Sequence, residues 1–316
     1  MTQTVAQSAE EISDGAPQVQ RDGAMRQSRQ GPSFLMALPA VLFFGIFALI
    51  PLLGVLVLSF MSWDGLGSPE FIGLDNWVRM FERDQTMSSL WLTFVFVVIC
   101  FVFQAPVALL LGVFMAGAQR YRALLSVLFF LPLLFSSVAV GITFQQLFSP
   151  NYGISSALPF DWLPSQWLGN PDIALYVVVF VVGWCFVPFH SLLYQAGVRQ
   201  IPVSLYEAAT IDGAGRVRQF FSITLPQLRY TAITSSTLML VGSLTYFDLV
   251  FVLTQGGPGS ATRILPLDMY ISGFRNYDMG GASVLAVILV AVGLTLSLLL
   301  NKISGSSKME SDKAGM

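Results

Sequence analysis

The stretch IPVSLYEAATIDGAGRVRQFFSITLP, Ile201 to Pro226, is a short loop caught between long apolar segments, and its spacing predicts two small helices. Pro202 suits the first helical position, where a missing N–H is no loss. Ser204 and Glu207 stand three residues apart, the spacing of a capping box. Gly213 and Gly215 end the first helix or turn it; the second is expected over Arg216 to Thr224, with Pro226 stopping it. Ala208, Ala209 and Ala214 present small side chains that let another protein approach closely. Phe220, Phe221, Ile223 and Leu225 are too apolar for a water-facing loop and need a surface to pack on. That surface is either a second protein or the membrane.

The rest of the chain makes the membrane unavoidable. Apolar residues are 54% of the 316 and charged residues 11%, against about a quarter charged in soluble domains. A span needs roughly 20 apolar residues, and six stretches qualify: Phe34–Phe60, Leu90–Gly117, Ala123–Phe148, Ile173–Val198, Thr231–Thr254 and Gly281–Lys302. Pro106, Pro132 and Pro188 lie inside them as candidate bends. Residues 1–33 read as a disordered polar tail, unlike a cleaved signal peptide, and 304–316 as a second tail. An inside N-terminus puts Arg21, Arg26, Arg29, Arg120, Arg122, Arg199, Arg216, Arg218, Arg229, Lys302, Lys308 and Lys313 in the cytoplasm. Only Arg79, Arg83, Arg263 and Arg275 are left outside. Both termini and the 201–226 loop are therefore expected to be cytoplasmic.

The loop carries a resemblance. Glu207-Ala208-Ala209, Asp212-Gly213-Ala214, Phe220, Ile223, Leu225 and Pro226 are similar to the EAA loop of permease subunits of binding-protein-dependent ABC importers, the coupling helix that seats on an ATPase subunit. Further along, Leu253-Thr254-Gln255-Gly256-Gly257-Pro258, followed by Leu267, Tyr270, Phe274 and Gly280, resembles the LT-GGP signature of carbohydrate-uptake permeases of the maltose-transporter type. FIGLDNW at Phe71–Trp77 is similar to a segment that forms a short lateral helix in sugar-type permeases, or is an interfacial loop anchored by Trp77. The resemblance implies an all-α, type I importer permease fold of six transmembrane helices, spanning 34–303, in a bacterial plasma (inner) membrane. It implies as partners a second homologous permease subunit, two ATPase subunits holding ATP and Mg, an extracytoplasmic sugar-binding protein, the sugar and membrane lipid. It also places sugar contacts near Trp184 and Phe189, which match a W-x-x-x-P-aromatic pattern, and near Met239, Ser243 and Tyr246 on the helix after the loop.

The residues themselves agree with transport and speak against catalysis. No Gly-rich loop is followed by Lys-Ser/Thr, so ATP is not expected on this chain. One histidine, His190, argues against a histidine-built metal site or a Ser/His/Asp set, and the scattered basic residues against nucleic acid. Cys100 and Cys185 lie in apolar segments and read as packing residues. Polar groups at membrane depth are costly and point to function or to helix-to-helix bonding: Gln104, Thr143, Gln145, Gln146, Trp184, His190, Ser243, Thr245, Tyr246 and Asp248. Met239, Ser243, Tyr246 and Val250 recur at helical spacing on one face. Aromatic rings with a few hydroxyls suit a sugar, and the absence of Lys and Arg favours a neutral saccharide over a phosphorylated polyol. A secondary transporter is the rival class; it is expected to show broken helices, and the sequence suggests none.

Overall fold

The computed structural model describes residues 34–158 and 164–304; the expected tail 1–33 and residues 305–316 lie outside them. Contacts divide the chain into a unit up to Pro51 and a unit from Leu52. In the first, α1 (Phe34–Phe44) passes into a wide π turn at Gly45–Leu49, where Phe43 and Phe47 pack at 4.8 Å. Helix α2 (Ile50–Leu58) follows. Most of α2 belongs to the second unit, where it is followed by a two-residue antiparallel pair, β1 (Met61–Ser62) with β2 (Glu70–Phe71), a small addition to the all-α expectation. Next come α3 (Asp75–Glu82), α4 (Asp84–Met115), α5 (Arg120–Leu134), α6 (Ser137–Leu147), α7 (Ile154–Ala157) and α8 (Ala174–Arg199). The loop holds α9 (Val203–Ile211), α10 (Arg216–Gln219) and α11 (Leu225–Gln227); α12 (Arg229–Ser243), α13 (Asp248–Thr254), α14 (Leu265–Tyr270) and α15 (Met279–Ser304) complete the chain.

Among the described residues four helices are long and apolar enough to cross a membrane, or up to six if each bent pair is one span. The third and fifth expected spans are those bent pairs. Helices α5 and α6 meet at 97°, and α12 and α13 at 48°, so the expectation of unbroken helices is corrected. At the first break Phe135 and Ser136 are extended, just after Pro132, which has no N–H to give the preceding turn. At the second, Phe247 N–H bonds Thr245 O, and Asp248 starts the new helix, where a carboxylate suits the positive end of the dipole. Helices α4 and α8 run through Pro106 and Pro188 without a break. Helix α4 also starts earlier than Leu90, at Asp84, because Thr86, Ser89 and Thr93 are buried and carry the helix outward.

The α4–α8 pair is the centre of the bundle. Phe96, Cys100, Ala108 and Gly112 of α4 lie buried at four-residue spacing, so one face is applied to α8. There Val177, Val178, Val181 and Val182 fill the core with Leu249, Val250 and Leu253 of α13 and Val140 and Phe144 of α6. A methyl group at Gly112 would stand 2.6 Å from Ser191 O, so only glycine permits this approach.

At the far end of α4 a polar clasp joins distant segments. Asn76 Nδ2 donates to Ser59 O and Met61 O at 3.1 and 2.8 Å. Arg79 meets Asp278 at 2.9 Å. Arg83 meets Asp268 at 3.1 Å and donates to Ser272 Oγ at 3.0 Å, while Arg263 meets the same Asp268 at 2.7 Å. Met80 packs with Leu265, Val284 and Leu285 beside these charges. The Asp268 side chain is fully buried, and losing it would leave two guanidinium groups without their counter-charge. Asp268→Ala is expected to cost about 3–5 kcal/mol, read as a lowered midpoint of thermal unfolding in detergent, whereas Arg79→Ala, at the exposed bridge, costs about 1 kcal/mol or less.

Candidate functional site

The 201–226 loop is anchored at both ends and bare between them. Ile201 and Leu228 are buried. Within the loop Tyr206 and Thr224 hydroxyls bond at 2.9 Å, and Gln219 Nε2 donates to Ala214 O at 2.9 Å and Thr210 Oγ1 at 3.1 Å. Gly213 sits at φ +75°, the left-handed turn that ends α9. Two local expectations are corrected. Pro202 occupies the N-cap and no side chain caps α9, so Ser204 lies two residues too far in for a capping box with Glu207. Pro226 does not stop the second helix: a π turn at Phe220–Thr224 leads into α11, whose first turn accepts proline. The bonds keep the loop rigid while its apolar side chains point outward. Val203 is 67% exposed, Ile211 86%, Val217 72% and Phe221 62%. Glu207, Ala208 and Asp212 are exposed beside them, with Ala209, Ala214 and Phe220 half-buried.

The residues expected along a substrate path do not share one surface. Met239 and Ser243 are enclosed, with Ser243 Oγ donating back to Met239 O at 2.7 Å. His190 is buried and its Nδ1 lies 3.0 Å from Ser235 Oγ, a bond between α8 and α12. Tyr246 is half-buried and stacks on Phe186 at 4.6 Å. Trp184, two residues before Phe186, turns the other way, meets Phe144 edge-on at 5.1 Å and is 39% exposed. It lines an apolar cavity of about 780 Å³ with Tyr176, Phe180 and Trp167. Phe189 is 37% exposed and edge-on to His190.

A second cavity, of about 510 Å³, lies between the ends of α6 and α13 and is lined by Gln145, Gln146, Trp167, Thr254 and Pro258. Its wall is the Gly-Gly-Pro loop, a knot tied by two hydroxyls. Thr262 Oγ1 donates to Gly257 O at 2.9 Å and lies 2.6 Å from Thr254 Oγ1, while Gly256 takes φ +94°. Sequence reading missed the Arg83–Asp268–Arg263 cluster, because its members lie far apart in the chain, Arg83 just before α4, Arg263 in the loop after α13 and Asp268 in the first turn of α14. It also missed Gln195, which donates to Met115 O at 2.8 Å and accepts from Ser126 Oγ at 3.0 Å. Among the described residues no group of three or more His, Cys, Asp or Glu could hold a metal ion.

A family model described as "Binding-protein-dependent transport system inner membrane component" matches residues 108–308. The chain is 33% identical to the probable ABC transporter permease protein YurN of Bacillus subtilis, over 88% of this chain and 97% of that one. It is 30% identical to the arabinooligosaccharides transport system permease protein AraP of the same organism (90% and 91% covered). It is 31% identical to the trehalose/maltose transport system permease protein MalF of Thermococcus litoralis (84% and 91%). Among solved structures, a chain of a bacterial alginate ABC transporter, crystallised with an alginate pentasaccharide-bound periplasmic protein, shares the fold. The TM-score is 0.76 at 23% identity, covering 86% of this chain and 93% of that one.

The Gly-Gly-Pro knot depends on the Thr262 hydroxyl, which is fully buried. Thr262→Val keeps the shape and leaves Gly257 O and Thr254 Oγ1 short of a partner. The expected cost is about 1–3 kcal/mol, seen as faster amide hydrogen exchange over residues 255–263 with the bundle unchanged.

Proposed function

The chain belongs to the family of binding-protein-dependent transport system inner membrane components, and from that premise we propose that it is the permease subunit of an ATP-driven importer of a saccharide. The observation that carries this is the set of full-length relatives named for arabinooligosaccharide and trehalose/maltose transport, each at least 30% identical. Two of the chain's spans are broken, yet family membership, not the breaks, decides against the secondary-transporter class. The protein is a multi-pass membrane protein with a transport role and no catalysis of its own; ATP and Mg belong to partner ATPases.

The exposed 201–226 loop is the surface for one ATPase subunit. Apolar side chains held out on a bonded, rigid loop are costly in water unless a protein covers them, and the excess of Arg and Lys puts the loop in the cytoplasm, where ATPases reside. A second, homologous permease and a second ATPase complete the assembly. An extracytoplasmic binding protein delivers the sugar to the opposite face. ATP and the loaded binding protein favour an outward-open state by binding it better than the inward one; without that difference they would shift nothing. The rigid loop carries the ATPase movement to α8 and α12, which it joins.

Between the ends of the spans the sequence places no Lys or Arg, and the path suits a neutral saccharide. Tyr246, half-exposed and stacked on Phe186, is the best-placed aromatic contact; Phe189 and Trp184 also present surface. Met239, Ser243 and His190 reach the sugar only in a state that parts the helices enclosing them.

Two outcomes test the reading in the reconstituted complex. Glu207→Ala is expected to lower sugar uptake at least tenfold while the ATPases either dissociate or hydrolyse ATP without transport; normal uptake with a normal complex would sink the loop's assignment. Tyr246→Ala is expected to reduce uptake severalfold while the binding protein binds sugar as before, and unchanged transport kinetics would remove Tyr246 from the path.

A further inference from the structure

Where α4 faces α12, one side chain is left without a partner. Gln104 is fully buried, and neither its Oε1 nor its Nε2 makes a hydrogen bond. Its position is given by its neighbours. One turn before it, the Cys100 thiol is close enough to Gln104 and Ser243 for a weak interaction with each. One turn after it, Ala108 shares a cluster with Met239. That cluster also holds Val187 and Tyr194 of α8, so Gln104 lies in the seam where α4 meets both α8 and the Met239–Ser243 turn of α12. The carboxamide carries two donors and two acceptor sites. Ser243 has already given its proton to Met239 O, and a thiol bonds too weakly to satisfy the amide. Burial without partners is costly, and a leucine would fill the same volume at no such cost.

The element that covers Gln104 ends beside it. Helix α12 stops at Ser243, the chain breaks over Leu244–Phe247, and α13 leaves at 48°. Tyr246, inside that break, lies near Cys100 and Cys185. Three hydrogen-bonding side chains, Gln104, Ser243 and Tyr246, thus all lie around the Cys100 thiol, beside the end of a helix that is not continuous with α13.

We infer that Gln104 is a sugar-contacting residue, closed off in this state and uncovered when α12 parts from α4. An amide offers a donor and an acceptor side by side. A sugar hydroxyl is both acceptor and donor, so adjacent hydroxyls of a neutral saccharide can replace all that Gln104 lacks here. A site built this way discriminates: a ligand without the hydroxyls leaves the amide unpaired again. The covered state and the loaded state then differ in whether the amide is satisfied, which ties sugar occupancy to the position of α12.

This inference rests on the saccharide-importer reading, and the test separates the two. The full complex of permeases, ATPases and binding protein is reconstituted in vesicles with wild-type chain, Gln104→Leu and Gln104→Asn. Gln104→Leu is expected to assemble and to melt at the same or a higher temperature, since an unpaired amide is gone. It should hydrolyse ATP in response to loaded binding protein, yet take up sugar at least tenfold more slowly. Gln104→Asn, which keeps the amide one methylene shorter, is expected to retain intermediate uptake. Wild-type uptake in Gln104→Leu overturns the inference alone, and so does a lowered melting temperature, which would mean that the amide is bonded within the fold. Absence of saccharide uptake by the wild-type complex overturns the importer reading and the inference with it.

Discussion

The close approach of α4 to α8 is the contact that underlies the whole second unit. Lipid tails are as apolar as the side chains, so burial from water does not hold two membrane helices together; close van der Waals packing does. Gly112 admits the backbone of Ser191, and Cys100 and Ala108 keep the same face shallow. The valines of α8 then pack on every side, against α4, α6 and α13. Everything else in this unit is laid on that pair. The 201–226 loop leaves directly from the end of α8, so any force on it enters the best-packed part of the protein.

Polar groups divide by depth. At the end of the bundle near α3 they are charged and paired: Asp268 is enclosed by Arg83 and Arg263, and this cluster ties the start of α4 to the segment after the Gly-Gly-Pro loop. Deeper, the bonds are neutral, one local, Ser243 to Met239 O, and one between helices, His190 to Ser235. Neutral pairs cost less to part than buried ions. The ion pairs at the charged end therefore cost more to part than the neutral bonds beside α12.

Much of the fold was legible in the residues. A membrane excludes water from the backbone, so long apolar runs must be helices, and the ends of α8 and α15 fall within a few residues of their expected places. The α5–α6 break was not legible, because Pro106 and Pro188 lie inside continuous helices while Pro132 precedes a 97° turn. Proline marks where bending is cheap; the neighbours decide whether it happens. Nor could spacing along α8 and α12 tell a path-lining face from a packed one. Trp184 and Tyr246 are both aromatic and both at membrane depth, yet they face different helices.

The class of this protein is written in its residues alone: apolar length set the spans, arginine and lysine set the expected sidedness, and the Glu207–Pro226 and Thr254–Pro258 patterns carried the family resemblance. These are local quantities, governed by hydropathy, charge and backbone geometry over a few residues. It took the packed bundle to establish that Asp268 is a buried ion, that Met239 and Ser243 are covered, and that Gln104 has no partner. Each of those depends on which helix lies opposite, and hydrogen-bond satisfaction is a property of a pair of groups that one chain position does not contain.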